Sequence, residues 1–262
     1  MNVFKIISSS FKSWWSNPVI ILPFVFQIFI STLILGSFVF FAVYPQIGNL
    51  EQLSISGQIG DKIIEKLTSS YNYIALFVIG SVILVILSSF ITAGAIGMAK
   101  EICNGRKAKF SNLAHYGKKF WLKYLLTSML VGLIAVLMLL VLSPVFLALS
   151  LLGINEIAIN ILTGIFMVLF FMIFIMFLPA TAIVIVNETK NIEAIKQSFK
   201  LSKENYLSLI LLITIILIIN TLTGYIPYIG GIITIFVVNP VQTIALVLFI
   251  ISKNKKQQKK KK

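Results

Sequence analysis

Six long apolar stretches without a single Asp, Glu, Lys, Arg or His constrain this chain more than any other feature. Each is as long as the roughly 20 residues that a helix needs to cross about 30 Å of hydrocarbon. Only 11% of the 262 residues are charged, against about 25% in soluble domains. The sequence therefore predicts an all-α, polytopic membrane helical bundle with one transmembrane domain at 1–251. The predicted spans are 19–43, 73–98, 124–152, 157–186, 207–226 and 229–251.

The distribution of basic residues predicts the orientation of these spans. Lys and Arg near the ends of spans stay on the cytoplasmic side of a membrane. Twenty of the 22 Lys and Arg residues lie in the N-terminal segment, in loops 99–123 and 187–206, and in the tail 252–262. The other two lie in loop 44–72. We therefore expect a multi-pass protein of the cell membrane with both termini in the cytoplasm and a disordered basic tail at 252–262.

An amphipathic segment precedes each pair of spans. In residues 2–16, 108–124 and 191–204, apolar side chains recur at helical spacing and lysines lie on the opposite face. We expect three helical hairpins, each preceded by a cytoplasmic interfacial helix. A threefold internal repeat would produce this pattern, and three unrelated amphipathic linkers would produce it as well. The repeat would align Phe4, Phe110 and Ile192, and likewise Lys12, Lys118 and Lys200.

Aromatic residues beside lysines in these segments predict contact with lipid headgroups. The apolar face of such a helix sinks into the membrane surface, while its lysine side chains reach water or anionic lipid. The residues expected at this surface are Lys5, Lys12, Trp14, Trp15, Lys118, Lys119, Trp121, Lys196 and Lys200.

Four of the side-chain amides in the predicted spans are candidates for intramembrane polar contacts. Such groups usually form hydrogen bonds across helices, which contribute about 0.6 kcal/mol each. The alternative is a polar pathway through the membrane, opened where a proline kinks the sixth span. The four amides are Gln27, Asn220, Asn239 and Gln242.

Recognisable catalytic chemistry is missing from the sequence. Spans without ionisable residues disfavour proton relays and ion-coupled transport. The single histidine, His115, and the single cysteine, Cys103, have no partners at the spacing of a metal site. The sequence therefore predicts no catalytic residue, no metal and no cofactor. An enzyme acting on lipid headgroups stays as an alternative, with Glu101, His115, Glu188 or Glu193 as its acid–base groups.

The lysine-rich tail at 252–262 has two interpretations. Basic clusters can neutralise the phosphates of nucleic acid. The same residues also fix membrane topology and attract anionic lipid, at about 1 kcal/mol per Lys near the surface. We favour the second interpretation and expect no nucleic-acid partner.

Two short motifs carry a resemblance to a known family. A helix with spaced Ala-Ile, Ser, Leu-Ser and Asn precedes the fifth span, and Gly-Arg precedes the third. They resemble the cytoplasmic segments of a broad family of six-span prokaryotic membrane proteins of unknown function, related to the membrane domain of glycerophosphoryl diester phosphodiesterases. The resemblance implies the six-span topology, but it transfers no catalytic residue. The residues concerned are Ala194, Ile195, Ser198, Leu201, Ser202 and Asn205, with Gly105 and Arg106.

These features lead to one functional prediction and one alternative. The prediction is a non-enzymatic prokaryotic membrane protein that acts as an assembly factor or packing partner. Its expected partners are the lipid bilayer, anionic headgroups, and a membrane protein or a second copy of the chain. The alternative is a small permease or export component for a lipid or an apolar solute.

Overall fold

A computed structural model of the chain describes residues 2–38, 40, 71–151 and 155–260. These residues are largely helical, and no β-strand occurs among them. Most of loop 44–72 lies outside the described residues. The helices are α1 (Val3–Trp15), a 3-10 turn (Pro18–Ile21), α2 (Leu22–Phe38), α3 (Tyr71–Cys103), α4 (Phe110–Leu151), α5 (Glu156–Phe174), α6 (Ala180–Val186), α7 (Asn191–Glu204), α8 (Tyr206–Gly224), α9 (Ile229–Ile233), a π-helical turn (Thr234–Val238) and α10 (Asn239–Lys260).

The prediction of six membrane spans is not confirmed. Within the described ranges, five helices are long and apolar enough to cross a membrane. The fourth predicted span, 157–186, is broken, because α5 ends at Phe174 and α6 begins at Ala180. Pro179 lies in the break and has no backbone N–H to continue a helix. The five helices are Pro18–Ser37, Ile74–Cys103, Phe110–Val141, Tyr206–Gly224 and Ile229–Asn254.

Two of the three predicted interfacial segments form separate helices. The first, α1, ends before Asn17 and Pro18, and the third, α7, ends at a break around Asn205. The second segment differs, because α4 runs without interruption from Phe110 to Leu151. The stretch 118–126 contains neither Gly nor Pro, so no residue there interrupts the helix.

The last helix continues beyond the predicted end of the sixth span. α10 runs from Asn239 to Lys260 and so enters the segment that sequence analysis predicted to be a disordered tail. Lysine and glutamine, which dominate this segment, are good helix formers.

The buried core lies at the end of the bundle where α3 and α4 meet α6, α7 and α10. Its fully buried side chains include Met98, Phe120, Ile183 and Phe249. α3 and α4 approach closely at small residues: a Cβ on Gly94 would lie 2.7 Å from the backbone oxygen of Leu113. By contrast, the opposite halves of α3 and α4 expose apolar side chains, as expected of surfaces that face lipid.

Candidate functional site

Helix α1 supplies a hydrogen-bond donor to a backbone carbonyl that Pro240 leaves without its usual helical donor. Pro240 has no N–H, so the carbonyl of Phe236, four residues earlier, loses its normal helical donor. The indole N–H of Trp14 donates to that carbonyl at 2.9 Å. The sequence predicts Trp14 as a lipid contact, and in the structure its indole N–H also satisfies a backbone carbonyl beside a proline inside an apolar helix.

Helix α7 likewise supplies hydrogen-bond donors to a backbone carbonyl, at the break in the fourth predicted span. The hydroxyls of Ser198 and Ser202 donate to the Met176 carbonyl at 2.8 Å and 3.0 Å. Both serines are fully buried. In a membrane, backbone groups freed by a break must find partners within the protein. In the sequence these serines stand out only as part of a family motif, although their spacing of four residues on a buried face is the signal for this role.

Helices α1 and α7 make these hydrogen bonds to interrupted apolar helices from positions that are equivalent in the predicted repeat. The alignment predicted for the repeat, which matches Phe4 with Ile192, also matches Trp14 with Ser202. Phe4 and Ile192 are both 65% exposed. The repeat stays a prediction, and these matches between α1 and α7 support it.

A carboxylate joins three elements at the basic end of the bundle. Glu188, just after α6, contacts Lys100 of α3 at 3.0 Å and Lys119 of α4 at 2.7 Å. The ammonium groups of Lys119 and then Lys100 lower the pKa of Glu188 to about 2. Its backbone has a positive φ of 54°, which is strained for a residue other than Gly. The chain accepts this strain where the carboxylate meets both lysines.

A second acidic residue lies in an open basic concavity of about 610 Å³. Glu101 is buried and accepts hydrogen bonds from the Tyr116 hydroxyl at 2.5 Å and from the Arg106 guanidinium at 3.1 Å. The other residues lining the concavity are Lys107, Lys109, Asn112 and His115. We call this concavity together with Lys100, Lys119 and Glu188 the basic surface.

The four acid–base candidates of the enzyme alternative are divided between separate places. Glu101 and His115 line the same concavity. Glu188 binds two lysines, while Glu193 accepts a hydrogen bond from Gln197 at 3.3 Å. Among the described residues, no three His, Cys, Asp or Glu side chains lie close enough to hold a metal ion.

The residues predicted to contact lipid lie mostly on the surface. Trp14 and Trp121 are half-buried, whereas Trp15 is 79% exposed. The remaining predicted contacts are all exposed lysines: Lys5, Lys12, Lys118, Lys119, Lys196 and Lys200.

The structure brings two of the four predicted intramembrane amides together. The side-chain amide of Asn220 on α8 donates to the side-chain oxygen of Gln242 on α10 at 3.2 Å. Asn239 begins α10, one turn before Gln242. Gln27 lies elsewhere and lines a cavity between α2, α3 and α4.

This geometry defines an all-helical membrane protein in which short amphipathic helices support interrupted apolar helices. Residues 1–253 match the sequence profile of a family described as a domain of unknown function (DUF7847), and the chain belongs to that family. No curated protein and no solved structure matched the chain. Nothing in these comparisons links it to glycerophosphoryl diester phosphodiesterases, so that part of the resemblance is not supported.

Proposed function

We propose that this protein is a non-enzymatic membrane assembly factor, which packs against a second membrane component while its lysine-bearing helices hold anionic lipid headgroups. The observation that carries the proposal is the pairing of exposed lysines with exposed aromatic side chains on α1 and α7. Phe11 precedes Lys12, and Phe199 precedes Lys200, with all four side chains exposed. An aromatic side chain beside a lysine suits the boundary between hydrocarbon and headgroups.

The charge balance of the basic surface supports this proposal. Glu188 and Glu101 neutralise part of the positive charge, and both are already held by cations. Arg106, Lys107 and Lys109 surround one carboxylate in the concavity, so a net positive charge faces outward. Clustered cations near a membrane attract anionic lipid.

Exposed apolar helices support the packing role. α5 packs chiefly against α4, and it exposes large side chains along its length, including Ile157 at 68% and Phe171 at 58%. Such a helix needs lipid or a neighbouring apolar helix around it.

A pull-down of the full chain from its native membranes in mild detergent tests the proposal, with bound proteins and lipids both identified by mass spectrometry. We expect a stoichiometric membrane-protein partner together with enriched anionic lipid. The variant Lys196→Gln/Lys200→Gln should lose the lipid enrichment. The matched control Lys62→Gln/Lys66→Gln, with the same charge change in the loop predicted on the opposite side of the membrane, should keep it. Equal recovery of lipid with both variants, or the absence of any partner, would contradict the proposal.

We also propose that both termini and the basic surface lie on the cytoplasmic side of a prokaryotic cell membrane. The charge bias predicted from the sequence supports this orientation. In a chain whose Cys103 is replaced by Ala, cysteines at Asn104 and Gln257 should react with an impermeant reagent only after permeabilisation. A cysteine at Ser56 should react from outside in intact cells. The reverse labelling would overturn the orientation.

A second candidate function, a permease for a lipid or an apolar solute, has one observation in its favour. A cavity of about 150 Å³ lies between α1, α8, the π-helical turn and α10, lined by apolar side chains with Thr223 and Gln242. π-helical turns often occur at functional positions. Flux of a labelled apolar solute into proteoliposomes above a protein-free control would favour this function. Absence of flux across a panel of lipids and solutes would contradict it.

A further inference from the structure

Seven of the eleven side chains that line a cavity between α2, α3 and α4 are uncharged and polar. Its volume is about 530 Å³, and it opens to the side of the bundle. Leu84, Val85, Leu125 and Met129 supply its apolar lining. The polar lining consists of six hydroxyls and one amide, from Ser31, Ser88, Ser89, Thr92, Tyr124, Ser128 and Gln27.

One hydroxyl in this cavity is left without a good partner. The Oγ atom of Ser128 is shielded from solvent, and it makes no hydrogen bond of acceptable geometry with any described residue. The phenol of Tyr124 lies within reach of Ser128 and Thr92, but its contact with Ser128 falls short of hydrogen-bond geometry. Buried polar atoms in folded proteins are rarely unpaired, so an exception marks a position where a bound group would supply the hydrogen bond.

The position of the cavity along α4 relates it to the membrane surface. Lys119, which binds Glu188, marks the charged level. At 1.5 Å per residue, Tyr124 lies about 7 Å and Ser128 about 13 Å further along the helix. The polar interface on each side of the hydrocarbon is roughly 5–7 Å thick. Tyr124 therefore lies at the boundary where the glycerol and ester groups of lipids meet the acyl chains, and Ser128 lies about one helical turn deeper, beside the first carbons of the acyl chains.

We propose that this cavity, which we call the hydroxyl cavity, binds the headgroup of an uncharged glycerolipid that carries free hydroxyl groups. None of its lining residues is Asp, Glu, Lys, Arg or His, so a phosphate there would lose water without gaining a counter-charge. A hydroxyl group of the lipid both donates and accepts, as do the side-chain hydroxyls around it. The apolar residues of the lining contact the first carbons of the acyl chains. The site is independent of the basic surface.

Native mass spectrometry of the purified full chain tests this inference. The protein receives equal amounts of dioleoylglycerol, monoglucosyl dioleoylglycerol, dioleoylphosphatidylglycerol and dioleoylphosphatidylcholine. We expect retention of one or both uncharged lipids over the two phospholipids. Retention of the glucosyl lipid alone would show that a sugar is recognised, and retention of both would show that the glycerol hydroxyl suffices.

Two variants separate binding from folding. Thr92→Val/Ser128→Ala should bind the uncharged lipid about fivefold to tenfold more weakly, because two hydrogen bonds at membrane depth are lost. Ser88→Phe should block binding by filling the cavity. The control Thr127→Val removes a neighbouring hydroxyl that binds the carbonyl of Lys123 in its own helix, and it should bind as the unmodified chain does.

Measurements of thermal stability separate an effect on lipid binding from an effect on folding. Ser128→Ala by itself should leave the melting temperature of the lipid-free protein unchanged or raise it, because it removes an unsatisfied buried hydroxyl. The same variant should weaken lipid binding. Unchanged binding by Thr92→Val/Ser128→Ala, or equal retention of phosphatidylglycerol, would overturn the inference while leaving the proposed assembly function untouched.

Discussion

Removal of the two serine hydroxyls that satisfy the Met176 carbonyl should destabilise the protein in a non-additive way. Each hydroxyl donates one hydrogen bond to the same oxygen, at 2.8 Å from Ser198 and 3.0 Å from Ser202. Ser198→Ala or Ser202→Ala by itself leaves the other donor in place, and should cost about 0.6 kcal/mol. The double variant leaves the carbonyl unpaired, which should cost about 2–3 kcal/mol. The coupling free energy between the two sites is therefore about 1 kcal/mol or more.

The assay is reversible unfolding of the purified chain in mixed micelles with increasing denaturing detergent, followed by circular dichroism. Ser37→Ala is the matched control, because the Ser37 hydroxyl donates to the Leu33 carbonyl within its own exposed helix. That variant should change the free energy of unfolding by less than about 0.5 kcal/mol. Strictly additive single and double variants, or a double variant as stable as the control, would refute the idea that α7 satisfies the break.

Three further perturbations follow from other contacts. Trp14→Phe keeps the aromatic ring but leaves the Phe236 carbonyl unpaired, so it should lower the free energy of unfolding by about 1–3 kcal/mol, whereas Trp15→Phe, at a side chain 79% exposed, should leave it unchanged. Gly97→Leu should prevent close packing of α3 on α4 and lower the melting temperature sharply, because its Cβ would overlap an aromatic ring, while Gly132→Leu, with open space around its Cβ, should be tolerated in the same thermal scan. The pKa of Glu188 is about 2 against an ordinary 4.5, so the ion pairs of its carboxylate stabilise the fold above pH 4.5. This stabilisation is lost as the pH falls towards 2. Glu188→Gln should therefore be less stable than the unmodified chain at pH 6 by about 1 kcal/mol or less, and the difference should vanish near pH 2.

If these hydrogen bonds behave as expected, the amphipathic helices have two functions on opposite faces. The faces that contact the apolar helices complete the backbone hydrogen bonding of those helices, through Trp14 on α1 and Ser198 and Ser202 on α7. Their exposed faces carry the lysines and aromatic side chains on which the proposed lipid contact depends. A change in lipid contact at α1 or α7 would then act directly on the apolar helices beneath.

Much of the candidate site could be predicted from composition and spacing, but its internal contacts could not. Phe11, Lys12, Phe199 and Lys200 are exposed, as the amphipathic pattern indicates. The pairing of Glu188 with lysines from two other helices depends on elements far apart in the chain, so no local sequence pattern predicts it. The hydroxyl cavity is likewise invisible in the sequence, because serines and threonines in apolar helices usually bind their own backbone.

The sequence by itself determined that the chain forms long apolar helices and that amphipathic helices accompany them. Both properties depend on the apolar or polar character of successive residues, which sequence displays directly. The tertiary structure alone decided that the segment around Pro179 breaks, whereas α10 continues past Pro240 with a π-helical turn before it. A proline in an apolar helix is compatible with a kink or with a break. Which of them forms depends on the donors that other helices bring to the freed carbonyl, and only folding places Trp14, Ser198 and Ser202 there.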